Sequence, residues 1–168
     1  KRIPEAEQEW TTLIAMYPED INIRLGMAGF YQSQKRWEDA EKQLSTLITM
    51  YPKNIDLRLG LAGFYIIQKR FPDADKVYRE TVKIEPENAK PYQAYGDFYA
   101  FQRKVDEAIK QYQEVIKLQP DTVYARARIG ELYLSANKLD QASPYIEEIL
   151  KQSPGNPDGT FLKGKLHL

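Results

Sequence analysis

The sequence predicts an all-α solenoid, in which antiparallel helix pairs repeat at a constant interval. Residues 25–31, Leu-Gly-Met-Ala-Gly-Phe-Tyr, return at 59–65 as Leu-Gly-Leu-Ala-Gly-Phe-Tyr. Between the recurring prolines, two segments with helical apolar periodicity are separated by a short polar turn. Each unit is therefore predicted to be a helix–turn–helix, with helix A before helix B. The prolines share the same interval: Pro18, Pro52, Pro86, Pro120 and Pro154.

The repeat boundaries follow from the prolines and the apolar phase. Residues 1–20 are predicted to hold the second helix of a truncated repeat, because Trp10 falls in the helix B phase. Residues 157–168 are predicted to hold the first helix of another truncated repeat. We expect a single solenoid domain cut from a longer natural array. The four complete repeats between the two ends are 21–54, 55–88, 89–122 and 123–156.

A polar residue stands two positions after each of these prolines, where the next helix A should begin. Proline cannot continue a helix, and a short polar side chain at a helix start accepts hydrogen bonds from the first backbone amides. The expected helix starts are therefore at Asp20, Asn54, Asn88, Thr122 and Asn156.

Composition excludes several classes of partner. Lys plus Arg and Asp plus Glu both number 24, so the net charge is zero and no bulk field attracts nucleic acid or an anionic membrane. No apolar run approaches the roughly 18 residues of a membrane span, so direct membrane insertion is not expected.

The absence of cysteine excludes disulfides and thiolate metal sites. The compartment stays open between the cytoplasm and a bacterial cell envelope.

The residues that catalysis usually requires are absent or badly placed in this sequence, which argues against an enzyme. The only histidine, His167, stands next to the last residue, so the chain offers neither a catalytic triad nor a histidine metal site. Glu147 and Glu148 are adjacent on a predicted helix and point apart. The Gly-x-x-Gly segment from Gly26 to Gly29 lies inside a helix, where it is not a phosphate loop. We therefore expect no catalytic residue, no cofactor and no metal.

The repeated positions resemble the tetratricopeptide repeat, which has the same 34-residue period. Its small residue of helix A corresponds to Ala28, Ala62, Gly96 and Gly130, and the following aromatic to Tyr31, Tyr65, Tyr99 and Tyr133. Its small residue of helix B corresponds to Ala40, Ala74, Ala108 and Ala142. Small residues are needed where two helices cross closely. The resemblance implies a right-handed superhelix of these pairs.

The resemblance also implies a function, a non-catalytic scaffold that binds a peptide or helix of a partner protein along helix A in a concave groove. An apolar floor followed by polar positions suits a partner with a hydrophobic segment and a charged end. The positions that would face the groove are Leu25, Gly26, Gly29, Leu59, Gly60, Gly63, Ile66, Ile67, Lys90, Gln93, Asp97, Phe101, Tyr124, Arg128 and Glu131.

The four glycines of the first two repeats have two explanations. A glycine inside a helix is unfavourable by about 0.5 to 1 kcal/mol relative to alanine, so Gly26, Gly29, Gly60 and Gly63 need a physical reason. Either they let the backbone of a partner approach closely, or they relieve crowding between neighbouring A helices. The sequence leaves both explanations open. Packing between repeats is equally open for Ile66 and Phe101.

Other surfaces give weaker hypotheses. A structural array that associates through its exposed half-repeat ends, at Trp10 or Phe161, is the alternative function. The basic turns Lys35-Arg36 and Lys69-Arg70 are followed by acidic helix starts, so we interpret them as helix capping and not as an RNA site. Some members of the family clamp the carboxylate end of chaperone tails. Of the matching positions here, Leu25, Gly29, Gly60, Lys90 and Ala94, only Lys90 fits.

Overall fold

The computed structural model describes residues 2–166, and this part of the chain contains ten α-helices and no β-strand. The prediction that concerns His167 lies outside the described residues. In chain order the helices are α1 (Ile3–Met16), α2 (Ile21–Ser33), α3 (Trp37–Met50), α4 (Ile55–Ile67), α5 (Phe71–Ile84), α6 (Ala89–Phe101), α7 (Val105–Leu118), α8 (Val123–Ser135), α9 (Leu139–Gln152) and α10 (Pro157–Leu166).

The predicted helix starts are confirmed by their capping bonds. Asp20 Oδ1 accepts hydrogen bonds from the amides of Asn22 and Ile23, at 2.7 and 3.2 Å. The side chains of Asn54, Asn88, Thr122 and Asn156 accept a backbone amide in the same way. Each cap satisfies a donor that the helix itself leaves unpaired.

The turns inside each helix pair use a left-handed residue that is not glycine. Three residues separate helix A from helix B, and the second of them has a φ between 56° and 60°, at Lys35, Lys69, Arg103 and Asn137. At Arg70 the amide then donates to the carbonyl of Tyr65 at 2.9 Å. This geometry ends helix A and returns the chain antiparallel to it.

The first compact unit ends at Ile84 and contains α1 to α5. Helix α2 packs against α1 and α3, and α4 packs against α3 and α5. The small residues Ala40, Ala62 and Ala74 have no exposed surface, as a close helix crossing requires. Trp37 meets the edge of Phe64 at a centroid distance of 6.2 Å, which fills the space between α3 and α4.

The second compact unit begins at Glu85 and contains α6 to α10. Helix α7 packs against α6 and α8, while α10 packs against both α8 and α9. Tyr112, Ile129 and Ile146 are fully buried in its core. Gly96 has a packing reason, because a Cβ there would lie 2.7 Å from Cε1 of Tyr112.

These helices confirm an all-α fold in which antiparallel helix pairs recur at the predicted interval. The predicted single domain stays a prediction, since the contacts group the chain into the two units above. No helix within residues 2–166 combines the length and apolar character that a membrane span requires.

Candidate functional site

The first unit contains an open apolar cavity of about 500 Å³ between α2 and α4. Ten residues line it, and Gln32 is the one among them with a polar side chain. Leu44 of α3 is only 6% exposed and also lines the cavity. The lining residues are Leu25, Ala28, Gly29, Gln32, Leu44, Gly60, Gly63, Phe64, Ile66 and Ile67.

The glycines of this unit differ in their surroundings. A Cβ at Gly26 would lie 2.7 Å from Cζ3 of Trp10, so the indole ring lies directly on the backbone of α2. A Cβ at Gly29, Gly60 or Gly63 would meet no atom within 4 Å outside its own helix. Crowding therefore explains the glycine at 26, although the ring comes from α1, a helix B, and not from a neighbouring helix A. It does not explain the other three.

The structure places the predicted groove residues of this unit in two groups. Leu25, Gly29, Gly60, Gly63, Ile66 and Ile67 line the cavity, whereas Gly26 and Leu59 are not among its lining residues. The lining of the cavity also contains Gln32, Leu44 and Phe64, which are not among the groove positions predicted from the sequence. One sequence signal for the cavity was present: the large Trp10 is replaced by the smaller Leu44 at the same repeat position.

A second feature of the first unit is a polar network that ties consecutive helix pairs together. Tyr65 donates its hydroxyl hydrogen to Glu41 Oε1 at 2.7 Å, and Arg70 Nη1 donates to Glu41 Oε2 at 2.5 Å. Arg70 Nε donates to Asp73 at 2.7 Å, and its guanidinium lies 4.4 Å from the centre of the Tyr65 ring. Arg70 thereby joins helices α3, α4 and α5.

The same network occurs one repeat earlier. Glu7 accepts from Tyr31 at 3.0 Å and from Arg36 at 2.6 Å, and Arg36 also donates to Asp39 at 2.7 Å. From the sequence, the basic turns are interpreted as helix capping, with cations at the ends of helix A and acids at the starts of helix B. The contacts to Asp39 and Asp73 agree with that interpretation. Glu7 and Glu41 are not predicted as partners of these turns, although the two glutamates are themselves one repeat period apart.

The network shifts the pKa values of its members. The hydrogen bond from Arg36, more than any other contact, lowers the pKa of Glu7. Burial, followed by the hydrogen bond to Glu41, raises the pKa of Tyr65 to about 12. Burial and Glu7 likewise raise the pKa of Tyr31. Both tyrosines therefore keep their protons at neutral pH and act as hydrogen-bond donors.

In the second unit, a polar cluster gathers around Asp97. Its Oδ1 accepts a hydrogen bond from Tyr112 and another from Tyr124, each at 2.7 Å. Arg128 donates to Glu131 at 2.6 Å, and its Nε lies 3.9 Å from Asp97 Oδ1. Arg128 is the single cation beside the two carboxylates of Asp97 and Glu131, so it offsets only part of their negative charge. Asp97, Tyr124, Arg128 and Glu131 are among the groove positions predicted from the sequence, whereas Tyr112 is not.

Burial is the largest cause of the raised pKa values of the tyrosines in this cluster. It raises the pKa of Tyr124 to about 12, with a further contribution from the hydrogen bond to Asp97. The same two causes raise the pKa of Tyr112. Neither hydroxyl ionises near neutral pH, so the cluster combines two neutral hydroxyl donors with the carboxylates of Asp97 and Glu131 and the guanidinium of Arg128.

The remaining predicted residues lie on α6. Lys90 is exposed near its start, Gln93 is half-buried, and Phe101 is the last residue of the helix with 65% of its surface exposed. A continuous groove through them stays a prediction. Within residues 2–166, no group of three or more His, Cys, Asp or Glu side chains is arranged to hold a metal ion.

Comparison with known proteins supports the repeat assignment. A family model described as tetratricopeptide repeat matches residues 30–89 and 96–157. These two segments cover most of the chain. No curated protein matches it.

Solved structures share the fold at low sequence identity. A thermophilic tetratricopeptide repeat protein from Thermus thermophilus is 22% identical, with a TM-score of 0.64 over 99% of this chain and 92% of its own. The crystal structure of MamA is 18% identical, with a TM-score of 0.67 over 90% and 89%. YrrB, described as having an unusual peptide-binding site, is 18% identical, with a TM-score of 0.62 over 94% and 81%.

Proposed function

Because the chain belongs to the tetratricopeptide repeat family, we propose that it is a non-catalytic scaffold that binds a peptide or helix of a partner protein. The family's fold indicates a protein-protein interaction module. One observation supports locating the binding site in the first unit. It is the open cavity between α2 and α4, with its apolar walls and its glycine backbone.

The lining of this cavity fits a docked protein segment better than a small charged metabolite. Leu25, Ile66 and Ile67 offer apolar contact area, and 67% of the surface of Ile67 is exposed. Burial of apolar surface contributes roughly 25 cal/mol per Å² of area removed from water. Gly60 and Gly63 present backbone without a side chain, which lets an extended chain or a helix approach closely. The peptide-binding site reported for YrrB gives a structural relative with this type of ligand.

The second unit supplies a separate polar candidate surface. Its groove positions Asp97, Tyr124, Arg128 and Glu131 offer both donors and acceptors. We propose that they contact polar groups of a partner. Their mutual hydrogen bonds must partly open for them to do so, so this surface contributes more to specificity than to affinity.

The test is capture of partners by the purified chain from cells that express it, followed by mass spectrometry. We expect Gly63→Lys to lose the partners that the unchanged chain retains, because the lysine side chain enters the cavity. Gly164→Lys is the matched control, since Gly164 also has open space around it but lies in α10. If the Gly63→Lys variant retains the same partners at full helicity, the groove is not the binding site.

Self-association is a second candidate function, favoured by apolar side chains exposed on the terminal helices. Met16 of α1 and Phe161 of α10 are 62% and 61% exposed. Sedimentation velocity over a range of concentrations tests this function. Concentration-dependent assembly that Met16→Lys abolishes, and that Gly63→Lys leaves intact, would support assembly through the ends. A monomer at all concentrations would exclude it.

A further inference from the structure

We propose that the cavity between α2 and α4 receives a tryptophan side chain of the partner. This inference rests on the proposed groove function and specifies the chemistry that the groove recognises. Its basis is an internal comparison, because the chain itself places an indole ring at the corresponding position of the preceding repeat.

The two positions correspond through the repeat. Trp10 and Leu44 are separated by one repeat period, and so are Gly26 and Gly60. In the first case the six-membered ring of Trp10 lies on Gly26, with Cζ2 3.2 Å from the position of a Cβ. In the second case no atom outside α4 lies within 4 Å of the corresponding point at Gly60.

The difference arises from side-chain size. Leu44 is 6% exposed and lines the floor of the cavity, but it is too short to cover Gly60 as Trp10 covers Gly26. The volume that an indole takes in one repeat is therefore open in the next. In the second unit, Tyr112 takes the same repeat position as Leu44 and is fully buried.

The lining agrees with an indole in both shape and polarity. Leu25, Ile66 and Phe64 supply apolar and aromatic contacts, and no charged residue lines the cavity. A charged side chain would therefore be desolvated there without a partner of opposite charge. The side-chain oxygen of Gln32 is an acceptor of the kind that a buried indole N–H requires.

The volume agrees as well. A cavity of about 500 Å³ exceeds the needs of one side chain, so it also admits part of the backbone that carries the tryptophan. The backbone of the partner can lie against Gly60 and Gly63, because the space beside these two glycines is open. Tryptophan is among the residues that dominate binding energy when they enter a preformed pocket.

The experiment selects peptides from a random displayed library on the full chain and then measures binding of the selected peptides by titration calorimetry. We expect the selected peptides to share a tryptophan. Replacement of that tryptophan by alanine should weaken binding at least tenfold. Replacement by leucine should weaken it severalfold, because the ring contacts and the N–H are lost.

Two variants close the cavity from opposite sides. Leu44→Trp reproduces the arrangement of Trp10 from within, and Gly60→Leu fills the open side while improving helix propensity. Both should weaken binding of the tryptophan peptides at least tenfold. Ser45→Trp is the control, because it adds the same ring to an exposed position of α3 outside the cavity lining. Circular dichroism establishes that each variant is folded.

The outcomes separate this inference from the function it rests on. Peptides that lose affinity with Gly63→Lys but carry no tryptophan, or that bind Leu44→Trp as well as the unchanged chain, would overturn the tryptophan inference and leave groove binding in place. Peptides whose affinity none of the cavity variants changes would overturn both proposals.

Discussion

Tyr65 donates a hydrogen bond to Glu41 across 24 residues, at 2.7 Å, and Tyr31 and Glu7 repeat this pair at the same separation. In each case the tyrosine belongs to a helix A and the glutamate to the helix B before it. An arginine from the following turn binds the same carboxylate. Consecutive helix pairs are therefore joined by a polar contact as well as by the apolar core.

We predict that Glu41→Ala lowers the free energy of unfolding by about 1 to 2 kcal/mol, because one carboxylate accepts from both Tyr65 and Arg70 and only 28% of its side chain is exposed. Urea denaturation followed by circular dichroism measures the change. Glu38→Ala, at an exposed position in the first turn of α3, is the control and should change stability by less than about 0.5 kcal/mol.

Alkaline pH should weaken the same contact. The pKa of tyrosine is about 10 in an unfolded chain and about 12 for folded Tyr65. The stabilisation is therefore complete below about pH 10 and is lost as the pH rises through 12. We expect Tyr65→Phe to show a shallower loss of stability over this interval in thermal melts. Tyr17→Phe, at an exposed position, should retain the slope of the unchanged chain.

The left-handed turn residues give a third prediction. Lys69 has a φ of 60°, a conformation that is unfavourable by roughly 1 to 2 kcal/mol for a residue with a Cβ. Lys69→Gly should raise the free energy of unfolding by about 0.5 to 1 kcal/mol after the greater freedom of glycine in the unfolded chain is subtracted. Asn137→Gly should raise the free energy of unfolding by a smaller amount, because asparagine tolerates this conformation. An equal or smaller gain at Lys69 would contradict the argument.

The glycines give a fourth prediction. Gly60→Ala should stabilise the chain by about 0.5 to 1 kcal/mol, because its Cβ enters open space and alanine favours the helix. Gly26→Ala should gain less, since its Cβ meets the Trp10 ring, and it should change the tryptophan fluorescence. In a Trp10→Ala background the gain at Gly26 should approach that at Gly60. Chemical denaturation of the single variants and the double variant measures these differences.

The helical fold and the limits of most helices could be predicted from the sequence, because their signals are local. The prolines and the caps at Asp20 and Asn54 lie within a few residues of the bonds they govern. The buried Ala40 and Ala74 could be placed at helix crossings because the period puts them in the same phase in every repeat.

The interior of the candidate site could be predicted only in part. The resemblance to the tetratricopeptide repeat implied that Leu25, Gly29, Gly60 and Gly63 face the groove. Of the contacts inside it, sequence pattern alone gave no account. It could not show that Gly26 lies under Trp10, because that contact depends on the reach of a ring from another helix. Nor could it show that Arg128 is bound to Glu131, which depends on rotamers.

The sequence by itself determined the period, the helix pairs and the family, because proline, small and apolar residues recur at constant positions and act within a few residues along the chain. Only the tertiary structure decided which repeated positions are filled and which are open. The physical reason is that cavities and long-range hydrogen bonds depend on side-chain length. Trp10 covers Gly26, but the shorter Leu44 leaves Gly60 uncovered.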